Sequence, residues 1–285
     1  MANVNENLKN LNGFTRDKTT SKDGTIIGYQ SIGKGPGVIV LHGVLSTSED
    51  FTRLAEELSD SFTVHIIDRR GRGMSGPQGE QYSIEKECED VKAVQAATGS
   101  TCVFGHSFGG FLALEAARRN ISFDKMVLYE PGVSINNSIA MDWVPAFEKA
   151  MNKNDYLGAF VYFSRPHVKA LQLMPFWLAK MMMRKAMKPE FLDKVQNLLP
   201  TIVREHREEQ ILDSTYDNYS VIRSKVLLLS GEKSEKWAHQ AVETVEKTIT
   251  GAKLIMLPDL DHLAPDNNYS PQRVAQNVKE FFLSD

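Results

Sequence analysis

Cysteine is scarce in this chain. Cys88 and Cys102 are the only two thiols in 285 residues. That is too few for a disulfide framework, and no paired spacing marks a zinc site, so two unpaired thiols are expected. Long apolar runs are also missing. No stretch of about 18 uninterrupted apolar residues occurs, which argues against a membrane-spanning helix. There is no excess of positive charge: 33 Lys and Arg stand against 36 Asp and Glu, a formal net charge of -3. The denser basic runs, "DRRGRG" and "REHREE", are short and mixed with glycine or carboxylates. On that balance neither nucleic acid nor an anionic membrane is expected as a partner. Repeats and low-complexity segments are absent. Residues 1–13, "MANVNENLKNLNG", read as a loose polar arm without the charged-then-apolar order of a secretory signal. A soluble, cytoplasmic protein is the resulting expectation.

What is present is an alternation. "FTRDKTTSKDGTIIGYQSIG" reads as a hairpin around Lys22, Asp23 and Gly24. After it come short apolar runs, "GVIVLHG", "FTVHIID", "TCVFGHS" and "KMVLYEPG". The first three are each followed by a helical pattern: "SEDFTRLAEELSD" with Ser48 as expected N-cap, "SIEKECEDVKAVQAATG" with Ser83 as cap and Gly99 as stop, and "FGGFLALEAARRN". Strands separated by helices imply parallel crossovers and a sheet covered on both faces. From Ser134 to Ser224 the strand signal fades into helical, Met-rich and aromatic segments. The alternation then resumes with "SKVLLLSG", "KWAHQAVETVEKTITG", "AKLIMLPD" and a closing helix entered through Pro271. The expected organisation is a core of residues 1–133 and 225–285, with a helical cap of 134–224 inserted after the sixth strand.

One stretch carries chemistry. "VFGHSFGG" sets Ser107 between Gly105 and Gly109, with a strand before it and a helix after it. "LPDLDHLAPD" places His262 in the loop after the last strand, "VLHGVLS" follows the third strand, and "DRRGRGMS" follows the fourth. This order resembles the α/β-hydrolase family over nearly the whole chain from Phe14 onward, apart from the cap. The resemblance implies an α/β-hydrolase fold, with a mostly parallel central sheet flanked by helices. It implies Ser107 at a strained nucleophile elbow and His262 as the base that takes its proton. It also implies an oxyanion hole made by the amides of Val44 and Phe108, with Leu45 as the alternative to Val44. His106 beside the elbow and His42 in the oxyanion loop read as structural. Arg69, Arg70 and Arg72 read as scaffolding. No G-K-[ST] follows the glycines, so the "DRRGRG" loop is not a phosphate loop.

The sequence departs from the family at the acid. Its usual aspartate, after the seventh strand, is replaced by Ser234. Three explanations compete: Glu130 at the end of the sixth strand, Glu232 or Glu235 on the Ser234 loop, or no acid at all. Asp259 and Asp261 stand too close to His262 in sequence to be the first choice.

A serine at the elbow implies acyl transfer through an acyl-enzyme, on small or medium apolar carboxylic esters, thioesters or lactones. The alternative is a ligand-binding or signalling protein on the same fold, which Ser234 keeps open. No metal or organic cofactor is implied. The expected partner is a small apolar molecule, and the chain a monomer or homodimer. "LQLMPFWLAKMMMRKAM" in the cap reads as a cap core, as an apolar roof over the site, or as a membrane-touching lid with Lys180, Arg184, Lys185 and Lys188 on its polar face. Phe147, Tyr156, Phe160 and Tyr162 are further candidates for the pocket wall.

Overall fold

The computed structural model describes residues 13–284. The polar arm expected over 1–13 lies, but for Gly13, outside the described residues. Strands β1 (Thr15–Thr20) and β2 (Ile26–Gly33) form the expected hairpin. β3 (Gly37–Leu41), α1 (Thr52–Leu58), β4 (Thr63–Ile67), α2 (Ile84–Thr98), β5 (Cys102–His106), α3 (Phe108–Arg118) and β6 (Lys125–Tyr129) follow in alternation. The insert contains α4 (Val144–Met151), α5 (Tyr156–Ser164), α6 (Lys169–Gln172), α7 (Phe176–Ala186) and α8 (Pro189–Ile211). β7 (Lys225–Gly231), α9 (Lys236–Thr248), β8 (Lys253–Leu257) and α10 (Pro271–Leu283) complete the chain.

The eight strands form one sheet in the order β1-β2-β4-β3-β5-β6-β7-β8. β2 runs antiparallel to both its neighbours, and every other pairing beyond β4 is parallel. The residues of β3 show why both faces are covered. Ile39 and Leu41 pack with the apolar sides of α2, α3 and α9, whereas Val38 and Val40 pack with those of α1 and α10. Period-two alternation with apolar residues on both sides requires a helical layer above and below.

Helix ends follow the local chemistry. Ser83 Oγ caps α2 by accepting from the Lys86 amide, and Gly99 ends it in the left-handed region at φ 68°. The cap expected at Ser48 is moved back by one. Ser48 begins a 3-10 turn, and Thr47 caps it, its amide donating to Asp50 Oδ2 at 2.8 Å. Both cysteines are buried and unpaired. No helix among the described residues is long and apolar enough to cross a membrane.

The insert leaves the sheet after β6 and closes on itself at its neck. Ser134 Oγ donates to Asp213 Oδ1 (2.5 Å), and the Ser214 amide donates back to the Ser134 carbonyl (2.9 Å). Beyond that neck Tyr219 returns to the core, its hydroxyl donating to Glu115.

Candidate active site

β5 ends at His106 and α3 begins at Phe108, leaving Ser107 alone on the turn with φ 54° and ψ -123°. Such a conformation is unfavourable for a residue with a side chain by roughly 1–3 kcal/mol, and persists only where the surroundings fix it. Here they do. The Ser107 amide donates to the Tyr129 carbonyl, and the Ser107 carbonyl accepts from Gly110, Phe111 and Gly132. The flanking glycines permit the approach. A Cβ on Gly105 would lie 2.6 Å from the Gly109 carbonyl oxygen, and one on Gly109 would collide with the Leu41 carbonyl. The glycines expected for steric reasons therefore have them.

His262 is brought to this end of the sheet by the loop after β8. Its carbonyl accepts from His106 Nε2 at 2.8 Å, and the Tyr129 hydroxyl donates to the Asp261 carbonyl at 2.7 Å. His106 is thus a brace for the His262 loop. Burial, reinforced by the nearby His262, lowers its pKa to about 3 and keeps it neutral. His262 Nδ1 donates to Glu130 Oε2 at 2.7 Å. Glu130 follows β6 with φ 44° and is fully buried. Its other oxygen accepts from the Gly231 amide (2.7 Å) and the Ser230 hydroxyl (2.8 Å) at the end of β7. Burial pushes the Glu130 carboxyl up, but the bond and charge of His262 and the Gly231 amide outweigh it and hold the group below the usual carboxylate range.

The competing acids are engaged elsewhere. Glu232 accepts from the Asp259 amide, and Glu235 from the Trp237 indole. The Ser234 hydroxyl is buried beside Glu130 and helps to hold its carboxyl down. Among the described residues His262 Nε2 carries no hydrogen bond, and no bond joins it to Ser107.

The amides of Val44 and Phe108 donate to nothing among the described residues. Leu45, the alternative donor, stands at φ 56°. Arg69 holds both halves of this arrangement. Its Nη1 donates to the carbonyls of His42 and Gly43, and its guanidinium lies over the Phe108 ring at 4.1 Å from the centroid. His42 donates from Nδ1 to the Gly43 carbonyl and accepts the Arg69 amide at Nε2. Both residues brace the loop after β3.

Sequence reasoning missed what lies behind Arg69. Glu87 of α2 binds it through two oxygens at 2.7 and 2.8 Å. Glu205 of α8 bridges Arg69 (3.2 Å) and Arg72 (2.6 Å), and all of these side chains are buried. Arg72 also donates to the Ser46 carbonyl. The insert is therefore tied by ion pairs to the arginines that hold the loop after β3. Glu209, one turn beyond Glu205, is buried too, its Oε2 without a hydrogen bond and 4.0 Å from His206 Nδ1. It reaches the elbow itself: a Cβ on Gly132 would collide with its Oε1 and stand 3.4 Å from the Phe108 nitrogen. Burial, then the Glu205 charge, push its carboxyl well above the ordinary range despite Arg69. Nothing local marks these carboxylates. The spacing of Glu205 and Glu209, one helical turn apart, was the available signal. Among the described residues no group of three or more His, Cys, Asp and Glu is arranged to hold a metal.

A family model described as the alpha/beta hydrolase family matches residues 38–277. N-formylmaleamate deformylase of Pseudomonas putida is 35% identical over 107 residues, 36% of this chain and 40% of that protein, so the match spans well under half of the deformylase. 2-(Acetamidomethylene)succinate hydrolase of Mesorhizobium japonicum is 21% identical over 259 residues, 87% of this chain and 88% of that protein. Among solved structures, an alpha/beta hydrolase from Sphaerobacter thermophilus superposes with a TM-score of 0.78 at 27% identity, covering 93% of this chain and all of that one.

Proposed function

The chain belongs to the alpha/beta hydrolase family, and from that premise we propose that it is a serine hydrolase acting through an acyl-enzyme on small or medium apolar carboxylic esters, thioesters or lactones. Ser107 Oγ attacks the acyl carbon while His262 Nε2 takes its proton. The oxyanion that forms is held by the Val44 and Phe108 amides. As the tetrahedral intermediate collapses, His262 returns the proton to the leaving alcohol, and Ser107 is left acylated. Water then attacks the acyl-enzyme with His262 again as base, releasing the acid and restoring Ser107. Glu130 balances the imidazolium and fixes the ring.

The observation that carries this reading is the 2.7 Å bond between Glu130 and His262. A buried carboxylate at the imidazole supports reading Glu130 as the third member, in place of the one absent after β7. A ligand-binding protein without turnover drew its support from Ser234, and that bond removes the support. The apolar preference rests on the cap. Val44 and Leu45 of the oxyanion loop pack against its Trp143, Phe147 and Phe160 cluster. We take the division into core and cap, the single-serine chemistry and a small-molecule substrate as one proposal. The two relatives are named for N-formyl and acetamido compounds, so amides belong in the substrate panel.

The test is hydrolysis of a chromogenic ester and amide series by wild type, Ser107→Ala and Glu130→Gln, with a fluorophosphonate label read by intact mass. Wild type is expected to turn over and take one label. Ser107→Ala is expected to lose the label and on the order of 10⁴-fold or more in kcat. Glu130→Gln is expected to lose about 10²–10⁴-fold with the label retained but slowed. Full activity of Ser107→Ala would sink the proposal.

A further inference from the structure

The outer side of α7 is not accounted for by this chemistry. Its inner side is committed: Phe176, Ala179 and Met183 pack with Val161 and Leu171. On the opposite side Trp177 and Met181, one turn apart, are 67% and 43% exposed, and Leu173 just before the helix is 90% exposed. The helix continues into Arg184 and Lys185, with Lys188 beyond its end, all exposed. Among the described residues none of these three cations has a carboxylate partner, whereas Lys180 is paired with Asp155. Residues 165–189 contain six Lys and Arg and no Asp or Glu, in a chain whose net charge is -3.

We propose that this outer face of the cap, Leu173, Trp177 and Met181 bordered by Arg184, Lys185 and Lys188, docks peripherally on an anionic phospholipid bilayer. A helix that exposes an indole and a thioether beside unpaired cations matches the boundary between headgroups and acyl chains. Apolar tips leave water there while the cations meet phosphates. Trp suits that boundary because its ring is apolar and its N–H polar. A second copy of the chain fits poorly, since a two-fold contact through this face would set the same unpaired cations against each other. The expectation of no anionic membrane partner came from the charge of the whole chain. That balance hides a segment of one sign. The proposal does not depend on the serine chemistry above.

The experiment is co-sedimentation of the full chain with vesicles of phosphatidylcholine alone and of equal parts phosphatidylcholine and phosphatidylglycerol, with tryptophan fluorescence read in parallel. Trp143 is buried and Trp237 half-buried, so Trp177 is the exposed reporter. Binding to the anionic vesicles only, a blue shift of the emission, and release by high salt are expected. Arg184→Glu combined with Lys185→Glu should weaken partitioning on the order of 30-fold or more, from about a fivefold effect per cation. Trp177→Ser should abolish the blue shift. Both variants should hydrolyse a soluble ester as wild type does, which separates failure here from failure of the proposed function. No partitioning, equal binding to neutral vesicles, or binding indifferent to the charge reversal would each overturn the proposal. So would a dimer in sedimentation velocity that Trp177→Ser dissolves without any vesicle binding.

Discussion

α8 buries carboxylates, and α7 exposes an indole and thioethers, although both belong to one insert. The difference lies in what faces each helix. α8 lies against Arg69 and Arg72, two guanidiniums already removed from water, so Glu205 is stabilised by ion pairs that it could not make at the surface. α7 has protein on one side only, and its other side is free to carry whatever its surroundings favour. Hydrophobicity alone would have placed these residues the other way round. Within one cap the partner decides burial, and the inner helix carries the structural cost of a charge cluster whose purpose lies in the oxyanion loop.

The comparison breaks most visibly at Glu205. Replacing it with Gln leaves Arg69 and Arg72 short of a buried charge, a loss of about 3–5 kcal/mol and a fall in Tm of roughly 10 °C. Turnover should fall as well, because Arg69 also holds the His42 and Gly43 carbonyls. Differential scanning calorimetry and ester kinetics check both, and an unchanged Tm would mean that the tie to the core is not needed. A smaller effect, opposite in sign, is expected one turn further on. The pKa of Glu209 is raised on folding, so between its unfolded and folded values the native state binds the extra proton, and stability falls as pH rises. Glu209→Gln removes that dependence. Its Tm should exceed that of wild type by a few degrees at about pH 8 and converge with it near about pH 4. A lower Tm at both pH values would show that the carboxyl gains more from His206, 4.0 Å away, than burial costs it. On α7, Trp177→Ser should shift Tm by about 1–2 °C or less, since an exposed side chain is seldom worth more than ~0.5 kcal/mol. A large loss there would mean that the outer face is covered by protein after all.

How far the sequence revealed this molecule depends on the range of each constraint. The elbow was legible because its demands are local. A positive φ at Ser107 and two positions without room for a Cβ must be met within five consecutive residues. His262 was legible by its place after the last strand. Glu130 could be named only as one of several carboxylates, because nothing in "VLYEPG" says which loop will lie opposite. Which of them stands at His262 depends on the β6–β7 pairing and the loop after β8. The Arg69 cluster was read only as scaffold, and its partners were not identified. Glu87 lies 18 residues away and Glu205 more than a hundred. "REHREE" looks like a solvated run unless it is known that its helix lands on buried arginines. The cap at Thr47 was missed by one position because Thr47 and Ser48 both offer hydroxyls, and only the position of Asp50 distinguishes them.

Pro200 divides α8 near its middle. Proline donates no amide hydrogen and crowds the preceding turn, so a helix yields there first. The residues before it include Val195 and Leu199 of the insert's apolar cluster, which Ile202 and Val203 continue beyond it. Those after it are fastened to the core by Gln78 on the Thr201 carbonyl, by Glu205 on the arginines and by Glu208 on the Ile84 amide. A swing of the whole insert would break buried ion pairs. A bend at Pro200 would leave them whole and would strain only the partly exposed Lys194–Asp50 pair of the first half. The buried ties to Arg69 and Arg72 thus lie beyond the one turn of α8 that lacks an amide hydrogen bond, so strain entering from the first half of the helix meets that break before it reaches them.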